Sequence, residues 1–199
     1  MRILAFSDLH RSRGRAADLV AASAEADLVI GAGDFCNHRE DLAGAMALLD
    51  GLLAPMVAVP GNCESAEELR DAAADGTTVL QGESTEIGGL TIFGLGYAVP
   101  VTPFGAWSCD LPEDEAEAML NRCDAADILV LHSPPKGIAD QLDDGTSLGS
   151  TAILAAIERL QPQLAVCGHI HPSWGRTGTI GRTQIVNLGP TPNWFEIAP

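Results

Sequence analysis

The chain has 199 residues, 46% of them hydrophobic and 19% charged, a balance that excludes an intrinsically disordered protein and supplies enough apolar side chain for a sizeable core. Its formal net charge is -16 and Lys136 is its only lysine, which argues against nucleic acid as a partner held by bulk electrostatic attraction. Five cysteines without paired spacing argue against a disulfide framework.

No apolar run reaches the length of a membrane helix, so no membrane association is expected. "MRILAFSDLH" meets Ser7 and Asp8 too early to hold a signal-peptide core. The expected location is therefore cytoplasmic. No linker, repeat or low-complexity tract interrupts the chain, and a single domain over residues 1–199 is expected. Self-association into a homo-oligomer is left open.

The predicted elements run as follows. "RILAF" (2–6) is a short buried strand that ends in polar "SDLH", and residues 15–25 carry helical spacing through Ala16, Leu19, Val20 and Ser23. "DLVIGAGD" (27–34) is a second strand. A helical pattern follows over about 40–53, then a third strand, "PMVAVPGN" (55–62). Ser65 with Glu68 forms a capping box that opens another helix.

"EIGGLTIFGLG" (86–96) reads as a hairpin turning at Gly88-Gly89. Asp110 with Glu113 resembles a helix start, with the helix running to about Cys123. "DILVLHS" (127–133) is a strand, 151–160 a short helix, "LAVCGH" (164–169) a strand, and "GTIGRTQIVNLG" (178–189) a hairpin. Alternating strands and helices give an α/β class, and the hairpins make the sheets mixed. Two packed mixed sheets with helices outside suit the pattern.

Each buried strand ends in a residue able to coordinate a cation. The first gives Asp8 and His10, the second Asp34, the third Asn62, the strand at 127–133 His132, and that at 164–169 His169 and His171. Ligands in open α/β sheets gather beyond the carboxyl ends of strands, so these seven donors can converge. Asp8 and His10, like His169 and His171, are two residues apart. In extended backbone each pair would face one side, with Leu9 and Ile170 turned into packing. Carboxylate, imidazole and amide donors without clustered thiolates suit manganese first, with iron, zinc or nickel as alternatives.

The ordered blocks "DLH", "GD", "GN", "H" and "GHIH" resemble the calcineurin-like metallophosphoesterases over residues 8–171. The resemblance implies a four-layer α/β/β/α sandwich with two divalent metal ions. By that pattern Asp8, His10 and His171 hold one ion, Asn62, His132 and His169 hold the other, and Asp34 bridges them. It implies hydrolysis of a small phosphate ester by a hydroxide bridging metals about 3.5–4 Å apart, without a protein nucleophile. A diester is preferred to a monoester. The rival reading is a metal-binding scaffold that engages a protein partner with little or no turnover.

One block departs from the family pattern. The family's usual "GNH" is "GNC" here, so Cys63 stands where a histidine contacts phosphate and protonates the leaving group. A bacterial and archaeal subset that acts on phosphodiesters resembles this variant. A thiol is a weaker proton donor than imidazolium at neutral pH. Cys63 is read as either a small buried neighbour or a catalytic group. His38, four residues after Asp34, is a candidate substrate contact or substitute acid, against a solvated loop residue. Arg11, Arg13 and Arg15 form a local basic cluster, either a solvated helix start or a grip for a second anionic group. Trp107 could stack on substrate or pack internally.

Overall fold

A computed structural model describes residues 1–198. Two mixed sheets pack face to face. The first has the order β11 (Asn193–Glu196), β1 (Arg2–Phe6), β2 (Leu28–Gly31), β3 (Met56–Ala58) and β4 (Thr77–Val79). In it β1 to β4 are parallel and β11 runs antiparallel to β1. The second has the order β5 (Glu83–Ile87), β6 (Leu90–Leu95), β7 (Ile128–Leu131), β8 (Leu164–Cys167), β10 (Thr183–Asn187) and β9 (Thr177–Ile180). There β6, β7, β8 and β10 are parallel, flanked by antiparallel β5 and β9.

Strand periodicity sorts the side chains into layers even where both faces are buried. In β1, Ile3 and Ala5 face the second sheet and join Ile30, Val57, Ile92, Val130 and Val166 in the central core. Leu4 and Phe6 face outward to α1 (Arg13–Ala22), α2 (Leu42–Met46) and α3 (Ala66–Ala72), whose Leu19, Met46 and Leu69 cover them. On the other side Phe93, Leu129 and Ala165 meet Leu120 of α4 (Glu113–Leu120) and Ile153 and Ile157 of α5 (Thr151–Leu160). This is the expected four-layer α/β/β/α arrangement.

Local signals held where their chemistry is local. Ser65 Oγ accepts from the Glu68 N–H at 3.2 Å, and Glu68 Oε2 accepts from the Ser65 N–H at 2.8 Å, which is the predicted capping box. Gly88 and Gly89 carry φ of 58° and 82° in the β5–β6 turn, values an L side chain adopts only at a cost. The hairpin expected over 178–189 is formed by β9 and β10.

Other expectations are corrected. The helix expected over 40–53 is only α2 plus a 3₁₀ turn at Ala47–Leu49; Asp41 at its start makes no side-chain cap bond, and Gly44 and Gly51 weaken the remainder. Asp110 and Glu113 do not jointly open α4. Glu113 begins that helix, but its carboxylate reaches across to cap α5, accepting from the Thr151 and Ala152 N–H groups at 3.0 and 2.8 Å. Strands β4 and β11 carry no clear signal in the sequence. Both are edge strands of three or four residues, without a clean apolar alternation.

Ile157 is fully buried between α5 and the second sheet. Ile157→Ala is expected to cost about 2–5 kcal/mol of stability, through lost transfer energy and the cavity left behind. A urea titration of both proteins checks this as a fall in the unfolding midpoint at unchanged slope.

Candidate metal centre

Parallel strands direct their carboxyl ends to one edge, and the chain segments beyond them continue side by side. The Asp8 N–H donates to the Gly33 carbonyl at 2.9 Å, the His10 N–H to the Asp34 carbonyl at 3.0 Å, and the Gly168 N–H to the His132 carbonyl at 2.9 Å. The backbone there is not extended, which corrects the two-residue facing argument. Asp8, His10, Asp34 and His169 have φ of 53°, 46°, 57° and 65°, the left-handed region that non-glycine residues enter at a cost. The side chains converge because these left-handed turns fold the loops over the sheet edge.

All seven expected donors meet there. Nε2 of His10 and Nε2 of His171 lie 3.2 Å apart, and His171 Nε2 is 3.7 Å from Asp8 Oδ1. His132 Nε2 is 3.2 Å from Asn62 Oδ1, and the His132 and His169 ring centroids are 5.0 Å apart. Asp34 stands between the two groups: Oδ2 is 3.7 Å from His10 Nε2, and Oδ1 is 3.5 Å from His132 Nε2. Donor atoms fall within 4.8 Å of one another in three sets: Asp8, His10 and His171; Asp8, Asp34 and His132; and His10, Asp34 and Cys63.

The surrounding hydrogen bonds decide which atoms are free. His10 Nδ1–H donates to the Cys36 carbonyl at 3.1 Å, and His132 Nδ1–H to the Ala32 carbonyl at 2.8 Å. In its neutral form each ring then turns an Nε2 lone pair inward. Asn62 Nδ2 donates to Ser108 Oγ at 3.0 Å, leaving Oδ1 toward His132. Asp8 Oδ2 accepts from Ser7 Oγ at 2.5 Å and from Trp174 Nε1 at 3.0 Å, while Oδ1 faces His171. Two close polar pairs result, His10 Nε2 with His171 Nε2 and His132 Nε2 with Asn62 Oδ1, and either an Nε2 proton or a cation can satisfy both atoms of each.

The buried charges perturb one another. Burial opposes ionisation of Asp8, yet hydrogen bonding from His171, the charge of His132 and Ser7 hold its carboxyl well below the usual carboxylate range. Burial disfavours the His132 cation, but the Asp34 and Asp8 carboxylates outweigh it and raise its pKa. Burial and the neighbouring His132 depress His169 to about 4. Burial and the Asp34 charge raise Glu64 to about 7, and the same two causes push the Cys63 thiol strongly upward.

A cleft of about 610 Å³ opens over these groups. Cys63, 4% exposed, and His38 both line it. The His38 ring makes an edge contact with Trp107, centroids 4.4 Å apart, and belongs to none of the three donor sets. Trp107 also lines the cleft. Arg11, Arg13 and Arg15 do not, and Arg11 pairs with Asp41 at 2.7 Å. Sequence reasoning missed Ser7, Trp174 and Asn187. Asn187 Nδ2 donates to the carbonyls of Gly168 and Ile170 at 3.1 and 3.4 Å and so holds the loop carrying His169 and His171. Only Trp174 left a trace in the sequence, three residues after His171, and that spacing gains meaning only from the 3₁₀ turn at His171–Ser173.

Comparison with known proteins agrees with this geometry. The chain is 31% identical over 128 residues to human metallophosphoesterase domain-containing protein 1, covering 60% of this chain and 37% of that protein. It spans about a third of the length of the curated relatives it matches. The structure of TT1561 from Thermus thermophilus superposes with a TM-score of 0.74 at 19% identity, over 94% of this chain and 88% of that one. A structure described as a novel archaeal phosphodiesterase gives 0.51 at 16% identity, over 95% and 84%. At such identities the structural likeness speaks for the fold. The model of the calcineurin-like phosphoesterase superfamily domain matches residues 1–196, and with the ordered donors at the sheet edge it makes this chain a member of that superfamily.

Proposed function

We propose that the chain is a phosphodiesterase that works with two divalent metal ions, manganese being the ion best suited to its oxygen and nitrogen donors. Asp8, His10 and His171 hold one ion, Asn62, His132 and His169 the other, and Asp34 serves both. The observation that carries this reading is the division of Asp34: one carboxylate oxygen is turned to His10 and the other to His132. The close pairs on either side, His10 with His171 and His132 with Asn62, support it. When bound, the ions supply a hydroxide nucleophile at neutral pH and offset the charge that builds at phosphorus.

The chain's own residues do the rest. Ser7 and Trp174 fix the Asp8 carboxylate, and Ser108 fixes the Asn62 amide. The Cys63 N–H donates to Asp34 Oδ1 at 2.8 Å and sets the orientation of the shared carboxylate. Proton delivery to the leaving group is the weak point. Position 63 carries a thiol, and the one imidazole outside the donor set, His38, is packed against Trp107. Esters with good leaving groups suit such a site. The diester preference rests on this departure and on the archaeal structural neighbour described as a phosphodiesterase.

Removing the shared carboxylate tests the centre. Asp34→Ala is expected to drop bound manganese from two ions per chain to one or none, and to abolish nearly all hydrolysis of an aryl phosphodiester. Elemental analysis of dialysed protein reads the first effect. His38→Ala should leave metal content unchanged. Two ions retained in the Asp34 variant, or ions lost in the His38 variant, would contradict the ligand set.

Leaving-group chemistry tests proton delivery. Aryl diesters should react well. Alkyl diesters should lack the roughly 10²–10⁴-fold acceleration that a general acid provides. Cys63→His should recover part of that factor for alkyl esters and flatten the dependence of log kcat/KM on leaving-group pKa. A flat dependence in the unaltered protein would show that another group already donates the proton. Full metal occupancy without turnover on any ester would favour the scaffold reading.

A further inference from the structure

The cleft above the centre is unlike its polar floor. Its walls come chiefly from the segment 99–107 and from Leu142 and Leu148. Val101, Phe104 and Leu148 are 59%, 51% and 41% exposed, half of the six large hydrophobic side chains that stand in solvent among the described residues. Single exposed hydrophobes are ordinary, but three around one cleft form a patch that a ligand can cover.

The patch is braced and registered to the centre. Phe104 and Trp107 stack with centroids 5.5 Å apart and planes 8° from parallel, and the His38 ring abuts Trp107. Asp110 pins the segment: its Oδ2 accepts from the Thr102 N–H and Oγ1, both at 2.8 Å, and its Oδ1 accepts from Ser108 Oγ at 2.6 Å. Ser108 Oγ is also the acceptor for Asn62 Nδ2. One chain of hydrogen bonds thus runs from the aromatic wall to a donor at the centre.

What the walls lack is equally informative. No lysine or arginine lines the cleft among the described residues. The nearby cations are committed elsewhere, Arg11 to Asp41 and Arg39 to Glu68. Arg11, Arg13 and Arg15 all stand outside the cleft lining, which gives the second-anion grip considered for them no support. Asn37 and Thr102 are the polar side chains of the walls beyond His38, and Thr102 Oγ1 already donates to Asp110. A sugar or polyol placed here would surrender hydrogen bonds to water without replacement. A second phosphate would find no counter-charge.

We propose that this cleft receives an uncharged aromatic group esterified to the phosphate, with Phe104 and Trp107 as its stacking platform and Val101 and Leu148 as its apolar sides. The phosphate at the centre is then the substrate's only anionic group. The inference rests on the phosphodiesterase reading for the position of the phosphate.

The test holds the leaving group constant and varies the other ester. Manganese-loaded protein is assayed on p-nitrophenyl phosphates whose second ester is methyl, 2-naphthyl, thymidine-5′ or phosphoethyl. The naphthyl ester should show a KM about tenfold below that of the methyl ester, equivalent to about 1.4 kcal/mol. Phe104→Ala and Trp107→Ala should each raise KM for the naphthyl ester several-fold more than for the methyl ester. Val101→Lys should improve the phosphoethyl ester and worsen the naphthyl one. Preference for the thymidine or phosphoethyl ester in the unaltered protein overturns the proposal, as do equal losses on methyl and naphthyl esters. Phe104 is half exposed, so its variant separates a binding effect from misfolding. Calorimetry with methyl(2-naphthylmethyl)phosphinate, whose two P–C bonds leave no ester to cleave, gives a readout independent of turnover. Binding there without hydrolysis of any ester would retain the cleft assignment and fail the enzyme reading. Hydrolysis without naphthyl preference would do the reverse.

Discussion

A buried carboxylate without a cation holds the candidate centre in place. Glu64 is fully buried. Its Oε1 accepts from the Gly61 N–H at 2.6 Å and from the Asp34 N–H at 2.8 Å, and its two oxygens have longer contacts with the Phe35 and Cys36 N–H groups at 3.4 Å. These donors belong to the turns that follow β2 and β3. Burial and the Asp34 charge raise its pKa to about 7, and the surrounding backbone N–H groups offset part of the cost of burying the ionised form. These bonds tie the two turns together. Asp34 is therefore set relative to Asn62 before any cation arrives.

The remaining donors are fixed by neighbours of other kinds. Asp8 is held by a hydroxyl and an indole, His10 and His132 by backbone carbonyls, and the loop of His169 and His171 by the Asn187 amide. These partners bind atoms turned away from the centre, while Asp8 Oδ1, which faces His171, accepts the His169 N–H at 3.1 Å. The division leaves oxygen and nitrogen atoms directed inward, where protons or a cation can hold them together. Preorganisation of this sort lowers the reorganisation needed on binding. The left-handed backbone at Asp8, His10, Asp34 and His169 is a further strain that the surrounding bonds sustain.

Much of this was legible in the sequence, for identifiable reasons. Buried parallel strands are short continuous apolar runs, and each ended in a polar residue whose type stood out. The Ser65–Glu68 box and the Gly88-Gly89 turn depend on residues within a few positions of one another. What could not be read depends on distant partners. Glu113 looks like a first-turn acid of its own helix, but its oxygens serve the start of α5, from Thr151 onward. Arg11 reads as a cation beside the centre, but Asp41 draws it aside. The two-residue spacing of His169 and His171 predicts a shared facing only for extended backbone, which these residues do not adopt. The two-residue spacing survives because a left-handed residue followed by a 3₁₀ turn also brings both rings to the centre.

The "GNCE" block shows why the substitution at its third position leaves the donors intact. Gly61 lies so close to Asp34 that a Cβ there would fall inside 3 Å of its backbone nitrogen and carboxylate. Asn62 supplies the amide oxygen turned to His132. Glu64 is the clamp. Position 63 touches Asp34 through its backbone, by the N–H that donates to Oδ1, and that bond is the same for cysteine and histidine. Residue 63 lines the cleft, so its side chain bears on what happens above the centre. The backbone bond to Asp34 is therefore kept with either side chain, while the Cys63 thiol itself falls in the donor set with His10 and Asp34. On the proposed reading the chemistry that changes is proton delivery to the departing alcohol, and the apolar wall of the cleft is tied to the neighbouring Asn62 through Ser108.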